Sequence, residues 1–230
     1  MSAAALWEDA RYERKLRIPE REQADIEPRL RLHRAAFAEI HHQRQVCNVY
    51  FDTPGLRCFH DNMAGAAERF KVRIRWYGAA EGPAPSATLE VKRKRGHAGI
   101  KDLYPLGQLE PWTALDPASL DDRYAAAGVP AGLRLGLAAL QPVLFNRYRR
   151  RYYASVDGRF RATIDDRMTF RQILAPDAAL RGREADVPGA VLELKYRLAD
   201  ETRLPDLVGD LPYRVTRSSK YVNGIRATWR

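Results

Sequence analysis

Four stretches of this chain place a charged residue at every second position with packing residues between: Arg11-Glu13-Lys15-Arg17, Arg69-Lys71-Arg73-Arg75, Glu90-Lys92-Lys94 and Arg147-Arg149-Arg151. An extended strand sends successive side chains to opposite faces, so the pattern predicts strands and gathers each run on one side of a sheet. Such a side is either the watered outside of an antiparallel sheet or the lining of a polar interior. If the sheet closes with these sides inward, it encloses a positively charged tunnel suited to a polyanion such as triphosphate or polyphosphate.

The chain has 230 residues, 45% of them hydrophobic, and no shift of composition divides it. One domain over residues 11–230 is expected, preceded by a tail over residues 1–10. Lys and Arg number 39 against 29 Asp and Glu, a formal charge of +10 that favours anionic partners. Two cysteines, Cys47 and Cys58, are too few for a disulfide framework or a zinc cage and read as buried free thiols of a reducing compartment. Residues 1–7 have neither the basic start nor the apolar core of a signal peptide. No apolar run approaches the roughly 20 residues that span a bilayer. The cytoplasm is the expected location.

Beyond the alternating runs, Ile26, Leu30, His33, Phe37 and Ile40 recur every three or four residues and predict a helix from about Asp25 to Ile40. His41 and His42 then read as a helix-end feature. Val46 to Asp52 predicts a strand, Asp52-Thr53-Pro54-Gly55 a turn, and Leu56 to His60 a short returning strand. Phe70, Val72, Ile74 and Trp76 supply the packing face opposite Arg69, Lys71, Arg73 and Arg75. Strands are further expected over Thr88 to Lys94 and Ile100 to Tyr104, with Gly96 and Gly99 bracketing the loop between them. Two short helices are expected between Pro117 and Leu140, broken at Gly128-Val129-Pro130. Val143 to Ser155 and Phe160 to Asp165 form the clearest hairpin, turning at Asp157-Gly158. A strand over Val191 to Arg197 and helices after Leu204 and Ser219 complete the reading. The fold class expected is α+β: an eight-stranded antiparallel β-barrel with helices packed outside and at its ends.

Chemistry enters through glutamates that share a strand face with a lysine: Glu13-x-Lys15, Glu90-x-Lys92 and Glu193-x-Lys195. Carboxylate oxygens suit Mg²⁺ or Mn²⁺, while Arg and Lys clamp phosphate oxygens, the division of labour that phosphoryl transfer needs. On alternation alone Lys71, Lys94 and Arg149 join the phosphate-binding candidates. Arg150 points away from its neighbours, and Arg93 and Arg95 alternate away from Lys92. Asp165 reads either as a second metal ligand or as a hairpin-end carboxylate paired with arginine. Ser219-Lys220 reads either as a phosphate-binding helix start or as an ordinary serine cap beside a surface lysine.

Eight segments occur in an order that resembles the VTC domain of polyphosphate polymerases. They are Arg11-Tyr12-Glu13-Arg14-Lys15, Asn48-Val49-Tyr50-Phe51-Asp52-Thr53-Pro54, Lys71-Val72-Arg73-Ile74-Arg75-Trp76-Tyr77-Gly78 and Leu89-Glu90-Val91-Lys92-Arg93-Lys94. Asn146-Arg147-Tyr148-Arg149-Arg150, Arg161-Ala162-Thr163-Ile164-Asp165, Val191-Leu192-Glu193-Leu194-Lys195-Tyr196 and Ser218-Ser219-Lys220-Tyr221 follow. That family belongs to the CYTH-like triphosphate tunnel metalloenzymes, whose barrel encloses the substrate. The resemblance implies that Lys15, Arg73, Arg75, Lys92, Arg147, Arg161 and Lys220 line the tunnel, that Lys101 and Ser219 also touch phosphate, and that Glu193 binds the metal. One departure stands out: the wider superfamily opens with Glu-x-Glu-x-Lys, whereas this chain has Arg11-x-Glu13-x-Lys15. The regulatory domain and transmembrane helices of the eukaryotic complex are also missing, so membrane translocation would need a separate partner.

Three functions follow as expectations. The first is transfer of the ATP γ-phosphoryl group to phosphate or a polyphosphate chain, with Glu193 and then Glu13 or Glu90 holding the metal. The second keeps the tunnel but uses water as acceptor, giving a tripolyphosphatase or nucleoside triphosphatase. The third is non-catalytic binding of polyphosphate or RNA. Nucleic acid is not the expected partner, because Phe70 and Trp76 alternate away from the cations instead of offering a stacking platform.

Overall fold

The alternating runs become strands in the computed structural model, which describes residues 11–95, 98–174 and 182–229. The tail expected over residues 1–10 and the loop glycine at position 96 lie outside the described residues. Nine strands form: β1 (Arg11–Ile18), β2 (Ala38–Asp52), β3 (Glu68–Tyr77), β4 (Ala84–Arg95), β5 (Ala98–Leu109), β6 (Gln141–Ala154), β7 (Arg161–Gln172), β8 (Glu184–Val187) and β9 (Ala190–Arg197). Eight of them lie on one path, β1-β9-β7-β6-β2-β3-β4-β5, and β8 pairs with β7 off that path. Among the described residues no ladder joins β1 to β5, so hydrogen bonding does not close the sheet. Helices are α1 (Ile26–Leu32), α2 (Arg57–Ala64), α3 (Pro117–Ala126), α4 (Ala131–Leu137), α5 (Leu204–Gly209) and α6 (Lys220–Thr228). The α+β antiparallel architecture expected from the sequence is therefore present, and none of these helices is long and apolar enough to cross a membrane.

Two compact units make up the chain. The first comprises residues up to Arg44, Arg149–Met168 and Pro188–Ser218. Its core gathers Leu16, Ile18, Ile26, Leu30, Phe37, Tyr153, Phe160, Leu192, Leu194 and Tyr196. The second comprises Gln45–Tyr148, Thr169–Val187 and the chain from Ser219. Its core includes Val49, Phe51, Val72, Ile74, Trp76, Leu89, Val91, Trp112 and Phe145. The register explains this selection. Val49 faces Ile74, Phe51 faces Val72, Ile74 faces Leu89 and Val72 faces Val91, so one side of β2, β3 and β4 is continuously apolar. The Trp112 and Phe145 rings stack at 4.3 Å and extend that side.

Two expected elements change type. The helix predicted from Asp25 to Ile40 ends at Leu32, because His33 turns extended and its Nδ1 accepts from the Ala35 amide at 3.0 Å. Ala36 has φ of 47°, and the chain resumes as strand at Ala38, so exposed His41 and His42 lie in β2 instead of at a helix end. The strand predicted over Leu56 to His60 is helix α2. Asp52 accepts from the amides of Cys58 and Phe59 at 2.8 and 2.9 Å, and Thr53 Oγ1 accepts from Arg57 N at 3.0 Å. Those bonds satisfy first-turn donors that a strand would have left for a neighbour. Strand β8 carried no signal strong enough to be read. Cys47 and Cys58 are buried free thiols, and burial pushes the Cys47 thiol up to about 11.

Candidate functional site

The other side of β2, β3 and β4 is polar, and the same register orders it into rows. Asn48 faces Arg75, Tyr50 faces Arg73, and Arg73 faces Glu90. Glu90, only 6% exposed, is the anchor. Its Oε2 accepts from Arg73 Nε at 2.8 Å and Nη2 at 2.5 Å. Its Oε1 lies 3.3 Å from Arg75 Nη1 and 3.2 Å from Lys101 Nζ. Burial opposes the charge on Glu90, but Arg73, Arg75 and Lys101 outweigh it and hold the carboxyl down at about 2. Arg75 is fixed further, donating to Asn48 Oδ1 at 2.9 Å and to the Tyr148 hydroxyl at 3.3 Å. Asn48 in turn donates to Asn146 Oδ1 at 2.9 Å.

The next row contains only cations. Lys71 on β3 faces Lys92 on β4, which faces Lys101 on β5, and one row further Arg69 faces Lys94. Like charges directly opposite one another repel, by roughly 0.2–1 kcal/mol per pair. Glu90 draws Lys101 toward the preceding row, while burial pushes the Lys101 ammonium below its ordinary value. Lys71 Nζ donates to Ser219 Oγ at 3.0 Å. Ser219 caps α6, accepting from Val222 N at 3.5 Å, and Lys220 Nζ sits 4.6 Å from the Tyr148 ring centre. This arrangement can receive several anionic oxygens, with fixed guanidinium forks at one end and more loosely held ammonium groups at the other.

The first unit has its own charged rows. Arg161 faces Lys195, which faces Glu13, and Thr163 faces Glu193, which faces Lys15. Lys15 Nζ lies 2.6 Å from Glu13 Oε1 and 3.6 Å from Glu193 Oε2, and donates to the Ser218 carbonyl at 3.1 Å. Lys195 Nζ lies 2.8 Å from Glu193 Oε1. Burial alone would lower the Lys15 pKa, yet Glu193 and Glu13 raise it. Glu193 is 6% exposed and Arg161 is exposed. Glu13 and Glu193 are thus brought to one ammonium. Among the described residues no three His, Cys, Asp or Glu side chains converge on a metal position. Two carboxylates still suit Mg²⁺, which is commonly held by one or two carboxylates with substrate phosphates and water completing its shell. Glu90 is held by three cations, Arg73, Arg75 and Lys101, at 2.5, 3.3 and 3.2 Å, whereas Glu193 is approached by two, Lys195 at 2.8 Å and Lys15 at 3.6 Å, which leaves Glu193 the more available carboxylate.

Strand β6 overturns two of the expected placements. Asn146 and Tyr148 reach the Arg75 side, so Arg147 lies with Phe145 on the apolar side, near Cys47. Arg149 donates to Asp166 from Nε and Nη2, both at 2.7 Å, and Arg151 Nη2 donates to the same carboxylate at 2.9 Å. The residue expected to point away, Arg150, forks onto Asp165 at 2.5 and 2.7 Å. Asp165 shares a face with Thr163 and Glu193, which makes it an arginine partner on the charged side. Lys94 lines a separate cleft of about 530 Å³ beside α2, with Arg57, Cys58, Phe70, Ile100 and Leu140, and none of the other expected site residues reaches it.

Sequence reasoning missed the neutral members of the polar face: Asn48, Tyr50, Asn146 and Tyr148. A signal was available, because Asn48-x-Tyr50 and Asn146-x-Tyr148 repeat the same period of two. Asn146 Nδ2 is a buried donor without a partner among the described residues.

Solved structures share the fold. A proposed adenylate cyclase from Vibrio parahaemolyticus is similar in structure, with a TM-score of 0.52, 14% identity, and coverage of 94% of this chain and 98% of that one. Another from Bacillus halodurans has a TM-score of 0.50 and 12% identity, covering 93% of this chain and 94% of that one. No curated protein matches the chain in sequence. The likeness is one of fold, an antiparallel sheet flanked by helices. Residues 10–229 match the VTC domain, and the chain belongs to the VTC domain family.

Proposed function

We propose that this protein is a metal-dependent phosphotransferase of the polyphosphate polymerase kind, passing the γ-phosphoryl group of ATP to phosphate or to the end of a polyphosphate chain. The observation that carries the reading is the Lys71-Lys92-Lys101 row, three cations facing one another beside an arginine pair already anchored by Glu90. A bound polyanion would relieve the repulsion that remains among these cations beside the Lys101–Glu90 contact. Family membership supports the same substrate class.

In this reading residues 11–230 work as one domain. Arg73 and Arg75, held rigid by Glu90, Asn48 and Tyr148, stabilise charge on the transferring group. Lys71, Lys92, Lys101, Ser219 and Lys220 hold neighbouring phosphates, Lys15 and Arg161 serve on the first unit, and Lys94 belongs to the separate cleft. Glu193 and Glu13 would hold Mg²⁺ or Mn²⁺, which would supply neutralisation of phosphate charge when bound. Arg147 and Arg149 receive no phosphate role. Buried free thiols support a reducing cytoplasmic location, and export of product would need a separate membrane partner.

Purified protein incubated with ATP and Mn²⁺ tests the reading by product analysis. Polymer is expected, with Glu193→Gln lowering the rate. Orthophosphate without polymer would assign the hydrolase instead, and metal-independent, strongly salt-dependent binding without turnover would assign a polyanion binder.

A further inference from the structure

Asp52 is a carboxylate with no exposed surface, yet it carries no role in the site described above. Its Oδ1 accepts from Thr53 N at 2.7 Å and Cys58 N at 2.8 Å. Its Oδ2 accepts from Phe59 N at 2.9 Å and from the Tyr221 hydroxyl. A side chain with one acceptor oxygen could not take all of these bonds. What the carboxylate adds is a second oxygen, and that oxygen holds a residue from the far end of the sequence. Tyr221 belongs to the first turn of α6, immediately after Ser219 and Lys220. Its ring, 2% exposed, stacks on Tyr50 at 5.2 Å and meets Phe59 edge-on at 6.5 Å. Tyr50 accepts from Arg73 Nη1 at 3.2 Å, so the same contact reaches the arginine pair.

We propose that Asp52 and Tyr221 are positioning residues. The buried carboxylate grips the Tyr221 hydroxyl and thereby fixes the first turn of α6, so that Ser219 meets Lys71 and Lys220 stands over Tyr148. The inference rests on the reading that Lys220 holds phosphate. The hydrogen bond lies between a phenol hydroxyl and a carboxylate with no exposed surface, where water cannot replace it. Removing the hydroxyl alone keeps the ring stack and releases only the grip.

The test is a double-mutant cycle on inorganic tripolyphosphate affinity, measured calorimetrically at fixed ionic strength for the full chain, Tyr221→Phe, Lys220→Ala and the double variant. Tyr221→Phe is expected to weaken binding about tenfold in the native background and less than about twofold once Lys220 is gone. Amide exchange at Val222 and Asn223 is expected to quicken in Tyr221→Phe, reporting the loosened turn directly. An equal loss in both backgrounds would mean general damage to the second unit and would overturn the proposal. Full affinity in Tyr221→Phe, with Lys220→Ala weakened, would overturn positioning alone. Full affinity in Lys220→Ala would remove the phosphate role on which both ideas stand.

Discussion

Strands β3 and β6 begin from the same pattern, arginine or lysine at alternate positions, and end with different chemistry. In β3 the odd-numbered cations share a side with Asn48, Tyr50 and Glu90, and the even-numbered residues enter the apolar core. In β6 the first odd-numbered arginine, Arg147, lies on the apolar side, while Arg149 and Arg151 converge on buried Asp166. Even-numbered Asn146 and Tyr148 supply the polar side, and Arg150 takes Asp165. Cation spacing therefore reports that a strand exists. Which side is functional is set by the opposing apolar set, strict in Phe70-Val72-Ile74-Trp76 and absent from a strand whose residues 142–146 are all buried.

Replacing the carboxylate that each run addresses gives the largest contrast. Glu90→Gln and Asp166→Asn both leave arginines facing an uncharged partner in a buried place, and each is expected to cost about 3–5 kcal/mol in denaturant unfolding. Only Glu90→Gln is expected to alter tripolyphosphate binding as well; a change in both variants would erase the distinction between the strands. Acid titration sharpens it. The folded Glu90 carboxyl is depressed to about 2 from an ordinary 4.5, so its contribution is whole above the ordinary value and is lost as pH falls toward about 2. That part of the acid unfolding profile is expected to flatten in Glu90→Gln.

Arginine truncation comes next. Arg75→Ala is expected to weaken tripolyphosphate binding about a hundredfold, whereas Arg147→Ala leaves it within about twofold. A large loss from Arg147→Ala would place that guanidinium on the phosphate side and reverse the assignment of β6. A smaller effect is expected where α6 packs on β6 and β7. A Cβ at Gly224 would lie 2.4 Å from Phe170 Cδ1 and 2.5 Å from Leu144 Cδ2, so Gly224→Ala should cost about 1–3 kcal/mol in thermal unfolding. The smallest effect carries an unusual sign. Lys92→Ala is expected to raise the stability of the anion-free protein by about 0.2–1 kcal/mol while weakening tripolyphosphate binding, because it removes a cation from a row of cations.

Much of this was legible in the sequence because strand periodicity is a local property. The packing face of β3, the Asp157-Gly158 hairpin and the serine cap of α6 all rest on residues within a few positions of one another. What was not legible depends on partners distant in the chain. Leu56 to His60 became a helix because Asp52, a few residues earlier, takes its amides, and that carboxylate also holds Tyr221, 169 positions away. Phe37 and Ile40 matched helical spacing by coincidence, since one is 3% exposed and the other 43%. Arg149 followed the period of its neighbours, yet Asp166 sat in the adjacent strand to receive it.

The row of facing lysines makes the composition of the surrounding solution part of what the protein is. Dissolved in an inorganic phosphate buffer, the molecule has its repulsion relieved by the medium; in an amine buffer with chloride it bears that repulsion itself. An anion present at a hundred times its dissociation constant adds about 2.7 kcal/mol to unfolding. Melting temperatures recorded in those two media will therefore differ, and their gap gauges how much free energy the protein holds back for its polyanion.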